Sequence, residues 1–150
     1  GDNLAIHLAV ARAAPGDVLV VQCGDAGHGV WGEVLTVAAM ARGIAGLVLD
    51  GSVRDLAAIR ALGFPLFARG TCLRGTRKAA RGVVDAPVMC GGALVAPGDL
   101  VVGDESGIVL VAPDAAPGVL ERAAERQRKE AALMEGLRQG RTTVELMGLE

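Results

Sequence analysis

The sequence predicts an α/β fold, with a parallel β-α-β-α-β first half and an antiparallel second half. Three observations predict it. Apolar runs at 17–22, 47–50 and 65–68 alternate with helix-patterned segments at 33–42 and 54–62, and parallel neighbours need such crossovers. The 22 glycines cluster between those runs, as turns and strand ends require and a helical bundle does not. After residue 83 the apolar runs become short and are separated by turn residues, as hairpins demand.

The elements follow in order. Residues 4–14 form a helix that Asp2 or Asn3 caps and Pro15-Gly16 ends. Residues 17–22 (DVLVVQ) are an apolar strand. A loop holding Gly24, Gly27, Gly29 and Gly32 leads to a helix at 33–42, which Gly43 terminates. Residues 47–50 (LVLD) are a second buried strand, 54–62 (RDLAAIRAL) a second helix ended by Gly63, and 65–68 (PLFA) a third strand. Four β-rich runs come next, at 87–90, 93–95, 100–102 and 107–111, around turns such as Pro97-Gly98-Asp99. A long polar helix spans 114–139, with Glu125 and Lys129 at i,i+4 spacing.

A chain of 150 residues reads as one domain over 1–150 with a real core. Hydrophobic residues at 51% against 21% charged exclude disorder. A net charge of −2 and 2% aromatics, with no Tyr, argue against a nucleic-acid partner. No apolar stretch reaches membrane-spanning length, and Gly1-Asp2-Asn3 does not begin a signal peptide. Cys23, Cys72 and Cys90 lack paired zinc-site spacing and read as free thiols in a reducing cytoplasm.

Two patterns bear on chemistry. Gly27-His28-Gly29-Val30-Trp31-Gly32 matches G-x-G-x-x-G, with Asp50 at the end of the next strand. In a dinucleotide fingerprint the glycines follow the strand at once; here residues 23–26 intervene, which argues against it. The second pattern is a pair of acidic helix starts on neighbouring β-α units, Glu33 after Gly32 and Arg54-Asp55 after Ser52-Val53. Both belong on one sheet edge, where free helix amides favour a carboxylate. Ser52-x-x-Asp55 also fits a capping box. Arg54 opposes the dipole of a first helical turn, so an anionic partner (Asp55, Glu33 or a ligand) is expected beside it.

The segments Trp31–Leu35, Ala38–Gly43, Gly46–Gly51, Val53–Asp55 and Leu62–Gly70 resemble the RraA-like family, which includes 4-hydroxy-4-methyl-2-oxoglutarate aldolases and oxaloacetate decarboxylases. The mark of that branch is an acidic residue, twenty intervening positions and Arg-Asp, as in Glu33 and Arg54-Asp55. The blocks Pro97–Asp104 and Gly107–Val111 resemble its later strand-turn-strand region. The resemblance covers nearly the whole chain. Family members usually carry a further N-terminal segment before the stretch resembling Asp2-Asn3-Leu4, and this chain is expected to lack it.

The resemblance implies a layered α-β-β-α sandwich of the swivelling-domain type and a homo-oligomer, a trimer or hexamer, with pockets between subunits. It implies a divalent cation, Mg²⁺ or Mn²⁺, with Asp55 as its protein ligand and water and substrate filling the remaining positions. Arg54 would stabilise charge on a pyruvate enolate and Glu33 would orient water for proton transfer; these are the catalytic pair. Gly32, the amides of Val34 and Leu35, and Arg54 would bind the substrate, a small 2-oxo acid. No lysine matches a Schiff-base role; Lys78 lies in the basic loop Arg74–Arg81 and Lys129 in the polar helix. His28 lies in the loop beside this pocket. The rival within the family is a non-catalytic regulator of ribonuclease activity, in which the upstream acidic residue is missing; Glu33 favours the enzyme. A methyltransferase label attached to some members is disfavoured by the poor register of the glycine loop.

Overall fold

The computed structural model describes residues 1–24 and 26–149; Asp25, within the predicted glycine loop, lies outside them. The chain divides into two compact units, residues 1–97 and 98–150.

The first unit is built on β3 (Gly46–Val53), whose positions are buried apart from a half-buried Asp50. Leu47, Val48 and Leu49 are consecutive and all buried, so both faces of this strand are covered. Along one side it pairs in parallel with β1 (Val18–Gln22) through residues 46–50, then with β2 (Gly29–Trp31) through Ser52 and Val53. On the other side it pairs in parallel with β4 (Leu66–Thr71). The parallel first half is therefore as predicted. The one addition is β2, a three-residue strand within the predicted glycine loop.

Helices α1 (Leu4–Arg12), α2 (Glu33–Ala41) and α3 (Leu56–Leu62) cover the sheet. They supply Ile6 and Val10, Leu35 and Ala39, and Ile59 to one core with Val30, Trp31, Leu47, Leu49, Val53 and Phe64. Trp31 is 1% exposed, and its ring stacks on Phe64 with centroids 6.1 Å apart. Gly43, at φ +74, ends α2 against Pro15; Gly63, at φ +68, caps α3. The hairpin β5 (Val88–Cys90) with β6 (Ala93–Val95) completes this unit.

The second unit holds the antiparallel hairpin of β7 (Leu100–Asp104) and β8 (Gly107–Val111). After it come α4 (Ala116–Arg138) and a short α5 (Thr143–Met147), the latter opened by a capping box between Thr142 and Glu145. Ion pairs Glu125–Lys129 and Arg126–Glu130 run along the exposed face of α4. Among the described residues, no helix is long and apolar enough to cross a membrane.

Candidate functional site

Strand β3 ends at Val53, and the Arg54 amide donates to the Trp31 carbonyl at 2.9 Å, so Arg54 is still tied to β2. The predicted helix start at Arg54 moves to Leu56. Asp55 turns the chain between strand and helix in the left-handed region, at φ 57 and ψ 34. Few side chains tolerate that conformation; a short carboxylate is among those that do. Asp55 does not cap its own helix. Its Oδ2 accepts from the Glu33 amide of the neighbouring helix at 3.2 Å. Ser52, buried in β3, donates to the Ala26 carbonyl at 2.7 Å. The capping box between Ser52 and Asp55 is thus absent, because Ser52 belongs to the strand and Asp55 faces α2.

Arg54 and Asp55 lie side by side, Nε to Oδ2 at 3.6 Å, each side chain a little under half exposed. Both lie over Gly32. A Cβ at Gly32 would stand 2.5 Å from Asp55 Oδ2, 3.0 Å from Arg54 Cγ and 3.1 Å from Arg54 Nε. Gly32 has extended backbone, φ −160, so close approach and not backbone freedom requires glycine there. At Gly29 a Cβ would collide with the Cys72 carbonyl and stand 3.1 Å from Arg54 Cβ, while the Gly29 amide donates to Arg74 O at 2.9 Å. Gly29 and Gly32 of the G-x-G-x-x-G match are therefore required by packing around β2 and Arg54.

The fold brings together Gly32, Glu33, Arg54 and Asp55. Glu33 opens α2 with an exposed side chain. The Val34 side chain is exposed and that of Leu35 is buried in the core. Their amides belong to the first turn of α2, where a helix supplies its own N–H groups with no partner. The result is an open corner with helix amides, the Arg54 guanidinium and the carboxylates of Glu33 and Asp55, where the free amides suit a small anion. Gly75 of the basic loop approaches the same corner, since a Cβ there would stand 3.9 Å from Arg54 Nη1. The backbone of Arg77 is strapped to the chain start through Asn3 N–H to Arg77 O and Arg77 N–H to Gly1 O, both 3.0 Å.

Other candidates have contacts of their own. His28 Nε2 lies 3.4 Å from the amino group of Gly1. Asp50 serves neither Arg54 nor a turn: its carboxylate pairs with Arg69 and accepts from the Gly91 amide at 3.2 Å, tying the β5–β6 hairpin to β3. A groove of about 320 Å³ lined by Leu4, Leu8, Arg12, Arg81, Gly82 and Val84 shares no residue with the corner. The sequence reading gave no site role to Trp31 or Thr36, and named Asn3 only as a helix cap, a bond its side chain does not make. The Trp31 indole donates to Thr36 Oγ1 at 2.7 Å, and Asn3 Nδ2 donates to the Val30 carbonyl at 2.9 Å, two bonds that hold β2. A single Trp preceding Gly32, with Thr36 four residues beyond that glycine, was the available signal.

Among the described residues, no three His, Cys, Asp or Glu side chains come together as a metal cluster. The donor set still fits a hard cation of the Mg²⁺ kind. Such ions keep several waters and take one or two carboxylates together with substrate oxygens, and Asp55 is an accessible carboxylate at an open corner.

The sequence comparisons agree with this architecture. Residues 1–110 match the RraA-like family, described as Aldolase/RraA. The chain belongs to the RraA-like family. It is 40% identical over 133 residues to a Halalkalibacterium halodurans protein named "Putative 4-hydroxy-4-methyl-2-oxoglutarate aldolase", covering 88% of this chain. It spans 63% of that relative's length. Among solved structures, Streptomyces coelicolor RraAS2, described as an unusual member of the RNase ES inhibitor RraA protein family, superposes with a TM-score of 0.80 at 35% identity, over 87% of this chain and 67% of that one. An uncharacterized protein from Pseudomonas syringae pv. tomato superposes with a TM-score of 0.78 at 32% identity, over 91% and 70%.

Proposed function

We propose that the chain is a divalent-metal-dependent carbon–carbon lyase that releases pyruvate from small 2-oxo acids. Its substrates would be 4-hydroxy-4-methyl-2-oxoglutarate or close analogues, with oxaloacetate decarboxylated at the same site. The observation that carries this reading is the placement of Arg54 and Asp55 over Gly32, against the first turn of α2 and beside Glu33. A relative at 40% identity bearing an aldolase name supports it.

In this reading the pyruvyl carboxylate sits against the amides of Val34 and Leu35, where the helix start favours negative charge. The guanidinium of Arg54 faces the 2-oxo oxygen and strengthens its hold as charge develops there. In the retro-aldol reaction the C4 hydroxyl loses its proton and the C3–C4 bond breaks. The electron pair passes into the pyruvyl unit as an enolate, and C3 then takes up a proton. In oxaloacetate the same bond breaks with loss of CO₂. Glu33 holds the water through which the proton moves. The cation held by Asp55, Mg²⁺ or Mn²⁺, supplies Lewis-acid polarisation of the 2-oxo group when bound. The test is metal-dependent pyruvate release by wild type and its loss in Arg54→Ala; release unchanged in that variant refutes the assignment.

The likeness to RraAS2 favours a second reading, a protein regulator of ribonuclease activity. Glu33 separates the two. A folded chain that binds a ribonuclease and releases no pyruvate would be the regulator.

The enzyme is proposed to work as a homo-oligomer, a trimer or hexamer. Val34, Val37 and Met40 form an exposed apolar stripe on α2 next to the corner. Such a stripe suits contact with another copy.

A further inference from the structure

We propose that the buried hydroxyl of Thr36 is a positioning residue: with the Trp31 indole it aims the Gly32–Glu33 peptide, and through it the Asp55 carboxylate, at the ligand corner. Thr36 is 0% exposed. Its Oγ1 accepts from Trp31 Nε1 at 2.7 Å and donates to the Gly32 carbonyl at 3.0 Å, and the Thr36 amide donates to the same carbonyl at 3.0 Å. A trans peptide is planar, with its C=O and N–H pointing in opposite directions. Fixing the Gly32 carbonyl therefore fixes the Glu33 N–H, which reaches Asp55 Oδ2 at 3.2 Å.

A threonine bonded back to the fourth preceding carbonyl is common in helices and by itself says little. Two features set this one apart. The carbonyl it holds belongs to the peptide that carries the Asp55 contact. The hydroxyl is oriented by an indole that is itself fixed by stacking on Phe64. An indole N–H is a donor only, so the threonine proton is left for Gly32. The chain of contacts runs from the core to the corner without a break: Phe64, Trp31, Thr36, Gly32, Glu33, Asp55.

The test compares wild type with Thr36→Val, which keeps the shape and removes the hydroxyl, and Thr36→Ser, which restores it. Amide hydrogen exchange reads the structural half without any catalysis. Protection at Glu33 should fall about tenfold in Thr36→Val and return in Thr36→Ser. The catalytic half rests on the lyase reading. At saturating metal, KM for oxaloacetate should rise about tenfold in Thr36→Val with kcat changed less than about twofold, because releasing the Gly32 carbonyl loosens the turn whose Val34 and Leu35 amides hold the pyruvyl carboxylate, a contact made equally in ground and transition states. Thr36→Ser should recover the wild-type KM. If Thr36→Val does not fold, Thr36→Ala against Thr36→Ser makes the same comparison. Unchanged Glu33 protection without the hydroxyl, or failure of serine to rescue, overturns the proposal. Loss and rescue of protection in a chain whose wild type releases no pyruvate would support the positioning role and overturn the lyase reading instead.

Discussion

At the scale of single residues, the corner depends on three side chains and one missing Cβ. Arg54→Ala should lower turnover at least about a hundredfold, the usual effect of removing a donor to a developing oxyanion. Its thermal midpoint should barely move, since the guanidinium is partly exposed and its ion pair with Asp55 is a surface one. Asp55→Asn and Asp55→Ala separate charge from backbone. Asparagine tolerates φ 57, so that variant should keep its stability and lose affinity in a Mn²⁺ titration. Alanine should lose the affinity and, in addition, about 1 kcal/mol of stability in denaturant melts. Equal stability of the two variants would show that the turn is not strained. That Gly32, Glu33 and Arg54-Asp55 belong at one corner was legible in the sequence, by spacing and family resemblance. That Asp55 leaves its own helix and serves α2 was not, because a left-handed residue and a partner 22 positions away leave no local pattern.

At the scale of elements, β2 shows where reading by pattern ran out. Three residues, the first a glycine, give no periodicity, and the segment pairs with the last residues of β3. Its place is fixed by distant groups, Asn3 just before α1 and Cys72 and Arg74 from beyond β4. α5 was missed for the same reason, being five residues long. The start of α1 carries a pH-sensitive clamp. Asp2 accepts from the amides of Leu4 at 2.9 Å and Ala79 at 2.6 Å, and these bonds hold its carboxyl below the usual aspartate range. A depressed folded value means the clamp contributes fully above the ordinary aspartate pKa and fades as pH falls below it toward the folded value. Exchange protection at Ala79 should therefore disappear on acidification through that window, and in Asp2→Ala at every pH. Protection that persists in Asp2→Ala would remove the clamp.

At the scale of the whole molecule, the fold class was the most legible feature. Alternating apolar runs and glycine-ended helices specified the parallel half, and short runs with turn residues specified the hairpins. Assembly is the least legible, because an exposed stripe such as Val34, Val37 and Met40 differs from a core stripe only by what covers it. If α2 packs against another copy, Val37→Glu should reduce the mass seen by light scattering to that of one chain. A mass unchanged by that charge would move the interface off α2.

The most direct measurement is pyruvate release from oxaloacetate and from 4-hydroxy-4-methyl-2-oxoglutarate, with Mg²⁺ and with chelator, for wild type and Arg54→Ala. Release that needs the metal and vanishes in the variant is the predicted result. No release from either substrate by the folded wild-type chain, or release indifferent to both metal and Arg54, would contradict it.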